Sequence, residues 1–255
     1  MTDQIHKFEK TAVSAPEASA LIAQELIKGS LNAARREMEA LIARTAMSPF
    51  IREKKDYFTA FLDRRGQLVV STSITLAGNL VDAVLEVYPA ETMRDGDLYW
   101  YNDVYGTNGA VTQTNDTVFL MPVFDGGRLV AFAEAWGHLW DVGGTFAGSV
   151  SPNTTSIFHE GIIIPPVRVL RDGVINEEVV RIYARNSRFP DIMKGDLNAL
   201  MAACKLGKRR LEQLLAHFGA RAVEDSFENM LWESETILRN KIAEIPNGTW
   251  QFQDW

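Results

Sequence analysis

Apolar residues recur at helical spacing early in the chain. Ile27, Leu31, Ala34, Met38 and Leu41 make one stripe, with Arg35, Arg36 and Glu39 off it, the pattern of a helix that buries one face. Ser14-Ala-Pro-Glu17 has capping-box spacing, with Ser at the N-cap, Glu at N3 and Pro in the first turn, so the helix is predicted from there to about Ala46. Ser48-Pro49 ends it, because the residue before a proline is pushed out of the helical region. The polar residues 1–14 ahead of it read as a loose tail. Asp56 to Asp63 and Gln67 to Thr72, either side of Arg64-Arg65-Gly66, then read as a hairpin. Residues 79–88 return to helical spacing through Leu80, Val84 and Val87, and Pro89 closes them.

The middle of the chain is strand-like over Asp97–Asn102, Thr117–Phe124 and Leu129–Ala135. Asp125-Gly126-Gly127-Arg128 joins the last two, and its glycines permit the positive φ of a tight hairpin. Gly161–Leu170 is extended as well, and Pro165-Pro166 mark an edge or a bulge rather than a central strand. Helices are predicted over Glu177–Asn186, over Asp191–Gly219 with a break at Gly195, and over Ala220–Ile245. Trp250-Gln-Phe-Gln-Asp-Trp255 reads as a strand without a partner. Strands grouped between flanking helices predict an α+β fold. The expected organisation is an α+β core over residues 15–176, a helical segment of the same domain over 177–247, and at 248–255 the start of a missing or separate domain.

Composition narrows the class. Hydrophobic residues make up 46% and charged residues 23%, which excludes a disordered chain, a collagen-like fibre and a disulfide scaffold. A net charge of −7 argues against a broad electrostatic grip on nucleic acid or an anionic membrane. The single cysteine, Cys204, allows no intrachain disulfide and fits a reducing compartment. No secretory h-region and no run of about 18 apolar residues is visible, so a cytoplasmic protein is expected.

Two segments have the composition of functional loops. One runs from Asn102 to Ala110 and on to Gln113-Thr-Asn-Asp116; the other runs from Gly137-His138 through Asp141-Val-Gly-Gly144 to Gly148. A two-residue turn at Gly126-Gly127 places Asp116 opposite Gly137 and next to His138. A one-residue shift would set Asp116 against His138, and the sequence alone leaves that parity open. Asp with His is a ligand pair for Zn, Mn or Fe, or an acid/base pair. Asp141, three residues after His138, is a further ligand or an orienting carboxylate. His159 could face the same cleft. No HExxH, Walker A or paired CxxC is present, and Gly143-Gly144 is not a dinucleotide fingerprint. Cys204 reads as a small core residue, and Lys205, Lys208, Arg209 and Arg210 read as a solvated helix face. The six tryptophans read as core or interface anchors.

At these segments the chain resembles a known family: the B-type subunits of N-methylhydantoinase, the matching half of ATP-dependent 5-oxoprolinase, and the alpha subunit of acetone carboxylase. The resemblance lies in Arg44-Thr-Ala-Met-Ser-Pro-Phe-Ile-Arg-Glu-Lys-Lys-Asp56, Gly96-Asp97 with Asn102-Asp103, Pro122-Val-Phe, Leu129-Val-Ala-Phe132, His138 and Asp141-Val-Gly-Gly144. Gly148-Ser149, Glu160-Gly161, Ile164-Pro-Pro-Val167, Asn186-Ser-Arg188, Gly195-Asp196 and Gly207-Lys-Arg-Arg-Leu211 follow in order. It implies a subunit of an ATP-using enzyme. ATP is then bound by an A-type partner subunit, and the B-type part opens a cyclic amide with water or, in the carboxylases, carboxylates a ketone. It also implies a divalent metal, Mn or Zn, held by a His-x-x-Asp pair and a second His. Asp116 and His138 match two of those positions, and Gln113 stands where the first His would be. Glutamine offers only a neutral carbonyl oxygen and binds transition metals more weakly than imidazole. Relatives of this type are expected to be roughly twice as long, with the motifs here in their N-terminal half. A catalytically lapsed structural subunit is the reading that Gln113 favours.

Overall fold

The computed structural model describes residues 15–72, 78–148 and 151–253. The expected capping box at Ser14–Glu17 lies outside the residues whose side chains are described. Helix α1 (Ala15–Thr45) buries Ile27, Leu31, Ala34, Met38 and Ile42. Ile42 takes the place expected for Leu41, because the contact follows the i, i+4 row Ala34-Met38-Ile42-Ala46, a ridge along which helices pack. A single turn, α2 (Pro49–Arg52), follows, with the Ser48 hydroxyl capping the Ile51 N–H.

Seven antiparallel strands form one sheet: β1 (Tyr57–Asp63), β2 (Leu68–Ser71), β3 (Leu98–Tyr101), β4 (Asp116–Asp125), β5 (Arg128–His138), β6 (Val167–Arg171) and β7 (Val174–Ile175). Their order is β2-β1-β5-β4-β3-β6-β7. Both faces are covered, as the near-continuous apolar runs in β4 and β5 require. One face, with Phe119, Met121, Ala133 and Ala135, packs on α1 and on the long helix α5 (Pro190–Phe218). The other, with Phe58, Ala60, Leu62, Val118, Leu120 and Phe132, packs on Leu80, Val81 and Val84 around helix α3 (Asp82–Val87).

The β4–β5 hairpin sets the register of the site. Gly126 and Gly127 have φ of 57° and 83°, the paired positive values a two-residue hairpin turn needs. Asp125 pairs with Arg128 and Phe124 with Leu129, but Val123 pairs with Ala131. Val130 is therefore an extra residue, a β-bulge, and it faces the same side as its neighbour Ala131. Beyond it every pairing is displaced by one, so Asp116 lies against His138 rather than Gly137.

Helix α4 (Glu177–Asn186) is capped by Asn176. Helix α5 runs unbroken through Gly195, contrary to the expected break. The glycine is a point of close approach: a Cβ there would lie 2.3 Å from Met47 Sδ. The next residue, Asp196, accepts from the Met47 and Ser48 N–H groups and ties α5 to the end of α1. Pro165-Pro166 precede β6, which is not itself the edge because β7 lies beyond it, but the expected alternative of a bulge is met: Leu98 pairs with Leu170 and Tyr99 with Arg168, so the β3–β6 ladder is irregular at Val169. Helix α6 (Ala220–Ala243) packs through Val223, Phe227 and Met230 and then leaves Ile237, Leu238 and Ile242 exposed. Residues 246–253 form neither helix nor strand among the described residues, and the segment expected to be a strand without a partner makes no ladder here. An extended segment with no neighbour makes no ladder, and Trp250 and Phe252 are exposed. No helix among the described residues is long and apolar enough to cross a membrane.

Candidate functional site

Three strands bring a row of polar residues to one end of the sheet. In β4 and β5, Asp116 and His138 are directly paired, so their side chains share the α3 face. The β1–β5 ladder pairs Tyr57 with Gly137, and His138 N donates to the Asp56 carbonyl at 3.0 Å. The Asp56 backbone at the entry to β1, where the predicted strand begins, thus closes the row on that side. Gly137 is needed on the opposite face, where a Cβ would lie 3.2 Å from Ile51 and Leu200.

Gln113 reaches the same point from the turn before β4, closed by Asp116 N donating to Gln113 O at 3.1 Å. Gln113 Nε2 lies 3.1 Å from Asp116 Oδ1 and 3.0 Å from His138 Nδ1, and the last two atoms are 3.1 Å apart. Asp116 and His138 are buried. The three atoms form a nearly equilateral triangle, and with Asp116 ionised no placement of protons satisfies its three edges. If Nδ1 accepts from the amide, the edge to Asp116 joins two lone pairs. If Nδ1 donates to Asp116, the edge to the amide joins two donors. The N and O of an amide are assigned from hydrogen bonding and not from shape, and turning the Gln113 amide to present Oε1 makes a triangle of three lone-pair atoms.

Such a triangle suits a cation. Neighbouring octahedral ligands about 2.1 Å from a metal are separated by about 3.0 Å, close to all three edges. Among the described residues no group of three or more His, Cys, Asp or Glu side chains is placed to hold a metal, so a cation here needs the Gln113 oxygen. His138 Nε2 is buried without a hydrogen-bond partner among the described residues. The Phe50 ring stacks on the imidazole, 4.9 Å between centroids, and Lys54 Nζ lies 4.4 Å from the far ring's centroid.

Asp141 does not join the trio. It lies past the end of β5, where the chain turns, and its two oxygens are taken by Arg188 Nη1 (2.9 Å) and by the N–H groups of Arg188, Gly143 and Gly148. Burial alone would raise its carboxyl, but these donors together hold it below the ordinary aspartate range. Asp141 thus fixes the loop after His138, and the Trp140 and Phe189 rings stack across it at 4.3 Å. His159 is half-buried and accepts the Thr155 N–H through Nδ1, apart from the trio. Cys204 is buried on the α5 side, and burial pushes its thiol well up. In the basic run, Lys208 pairs with Asp95 and Glu212, and Arg210 pairs with Glu37. Of the tryptophans, Trp100 is a core anchor that donates to the Thr117 hydroxyl and stacks on Phe119, whereas Trp232 and Trp250 are exposed.

Comparison with known proteins places this geometry in context. The family model described as hydantoinase B/oxoprolinase matches residues 21–255. An uncharacterized protein of Methanocaldococcus jannaschii is 32% identical over 233 residues, covering 88% of this chain and 40% of its own length. The caprolactamase subunit beta of Pseudomonas jessenii is 28% identical over 227 residues, covering 88% of this chain and 39% of its own. The crystal structure of the ATP-dependent caprolactamase from Pseudomonas jessenii matches with a TM-score of 0.82 at 27% identity, over 89% of this chain and 40% of that one. The chain thus spans about 40% of the length of these relatives.

Proposed function

Because the chain belongs to the hydantoinase B/oxoprolinase family, we propose that it supplies the B-type part of an ATP-dependent enzyme that opens cyclic amides with water. In this reading ATP is bound by an A-type partner subunit, as the family resemblance implies, and the sequence here carries no Walker A motif. Gln113, Asp116 and His138 would hold a divalent cation, Mn or Zn. A cation at this point would polarise the amide carbonyl or lower the pKa of a bound water. The observation that carries the reading is the convergence of the Gln113 amide, Asp116 Oδ1 and His138 Nδ1 at 3.0–3.1 Å from one another, a triangle that becomes one of ligating atoms when the amide presents Oε1. The protein's own contribution is to hold the imidazole flat against Phe50, to keep Asp116 paired with it across the ladder, and to exclude water from both.

The test is metal content by elemental analysis, together with titration of Mn and Zn into the apo chain. Wild type should bind one equivalent, and Asp116→Ala and His138→Ala should bind none. Absence of metal from wild type would sink the site assignment. In the assembled enzyme, lactam or hydantoin opening that requires ATP supports the hydrolase. Bicarbonate-dependent turnover of a ketone would instead make it a carboxylase of the same family. One observation favours a lapsed structural subunit: an amide stands where an imidazole would bind more tightly. Gln113→His separates the two, because it should convert a silent complex into an active one only if catalysis has lapsed through that position.

A further inference from the structure

The turn that presents Gln113 and Asp116 is held by two side chains that lie outside the trio. All three polar groups of Thr114, in the middle of the turn, are in use. Its N–H and its hydroxyl both donate to Glu160 Oε2, at 3.0 and 2.9 Å. Its carbonyl accepts from Asn102 Nδ2 at 2.6 Å. Asn102 is buried at the end of β3 and is itself doubly bound: Nδ2 also donates to Ile162 O at 3.0 Å, and Oδ1 accepts from Ile164 N at 2.5 Å. Its side chain thus staples the segment that follows Glu160 to the turn. On the other flank, Asn115 Nδ2 donates to Leu139 O, and Leu139 N donates to Asn115 O, beside His138.

We propose that Glu160 and Asn102 are positioning residues for the cation site, fixing the Gln113–Asp116 turn in register with His138. Neither touches the three ligating atoms. What they supply is the backbone path that a free turn would not keep. Thr114 is buried, and with its polar groups unpaired the turn would have to open toward water. The inference rests on the metal reading above for its purpose, but its structural content can be measured without metal.

Two measurements test it on the whole chain. The first is affinity for Mn²⁺, read by loss of the free-ion electron paramagnetic resonance signal, and for Zn²⁺ by competition with a chromophoric chelator. Glu160→Ala should weaken binding about 10–100-fold, the usual cost of removing a group that orients metal ligands. Glu160→Gln keeps an oxygen that can accept from both Thr114 donors and should recover most of the loss. Thr114→Val removes only the hydroxyl link and should fall between. A residue that served stability alone would lower the melting temperature without changing affinity per folded molecule, and that result would overturn the proposal. The second is the pair of ¹⁵N shifts of the His138 ring in apo protein. Glu160→Ala should move both resonances from their wild-type positions, because the turn that sets the partners of Nδ1 is released, and Glu160→Gln should restore them. Unchanged shifts in Glu160→Ala would overturn the proposal even if wild type binds no metal. Wild type without metal but with the expected shift changes would retain the positioning role and reject the cation.

Discussion

Glu134 sits in the middle of β5 with both carboxylate oxygens buried and no hydrogen-bond partner among the described residues. It is paired with Ala60 on one side and Leu120 on the other, on the face that carries Phe132 and Trp136. Burial pushes its carboxyl well above the ordinary glutamate value of 4.5. Two costs follow, and two substitutions separate them. Glu134→Met fills the same space with apolar atoms and removes both the unsatisfied oxygens and the ionisation. Such replacements stabilise by about 1–4 kcal/mol, and about 2 kcal/mol is expected here. For a chain of this size that is a rise of roughly 4–8 °C in Tm. Glu134→Gln keeps a buried polar group but removes the titration. The sign is fixed by linkage. The folded state holds its proton to higher pH than the unfolded state, so wild-type stability falls as pH rises from the unfolded value toward the folded one. The slope is at most about 1.4 kcal/mol per pH unit. Urea unfolding of the three proteins between pH 4 and pH 8 measures this. The gap between Glu134→Met and wild type should widen with pH, and Glu134→Gln should lose the slope. A Met variant less stable than wild type at pH 7, or a gap independent of pH, would refute the reasoning.

Three further outcomes are expected. Arg188→Ala should destabilise the chain by about 1–2 kcal/mol, because it strips a buried carboxylate of its guanidinium while the half-exposed arginine limits the loss. Asp141 titrates below its usual range in the folded chain, so its contribution is present above the ordinary aspartate value of 3.8 and is lost as pH falls through the folded value. Acid unfolding of Arg188→Ala should therefore show a shallower limb than wild type. Gly143→Ala should cost more than about 2 kcal/mol in chemical denaturation, since φ is 85° and the new Cβ would lie 2.4 Å from Asn186 O. Cys204 should react with a chromogenic disulfide reagent at the rate of global unfolding, because burial shields its sulfur and keeps its thiol protonated.

The helices and most strands were legible because their signals are local. The Gly126-Gly127 turn, Pro89 after α3 and the stripe of α1 each act within a few residues. Gly195 misled because a glycine in a helix has two meanings. Propensity calls it a weak point, whereas the fold uses it for the approach of Met47, a residue 148 positions away that no local pattern reveals. Asp141 misled in the same way: its spacing from His138 suggested a shared role, but the chain turns after β5 and gives the carboxylate to Arg188. Trp250 and Phe252 carry strand-like alternation, yet pairing makes a strand, and no edge among the described residues meets them.

The parity of the site was left open by the sequence, and a single residue decides it. From the turn, an uninterrupted ladder would set Asp116 against Gly137, and Val130 displaces it by one so that His138 arrives instead. A deletion follows from this. Removing Val130 closes the bulge and shortens β5 by one, so a regular ladder from the same turn still delivers His138 to Asp116. The β1–β5 ladder is undisturbed, because its last pair is Asp63 with Ala131, beyond the bulge. The deletion loses one buried valine, about 1.5–3 kcal/mol, partly offset by a regular ladder. Removing Trp136 instead leaves the bulge in place and draws His138 one position toward the turn, onto the opposite face. Metal affinity and the His138 ring shifts should therefore survive deletion of Val130 and be lost on deletion of Trp136. Equal loss in both would mean that the register is not set from the Gly126-Gly127 turn.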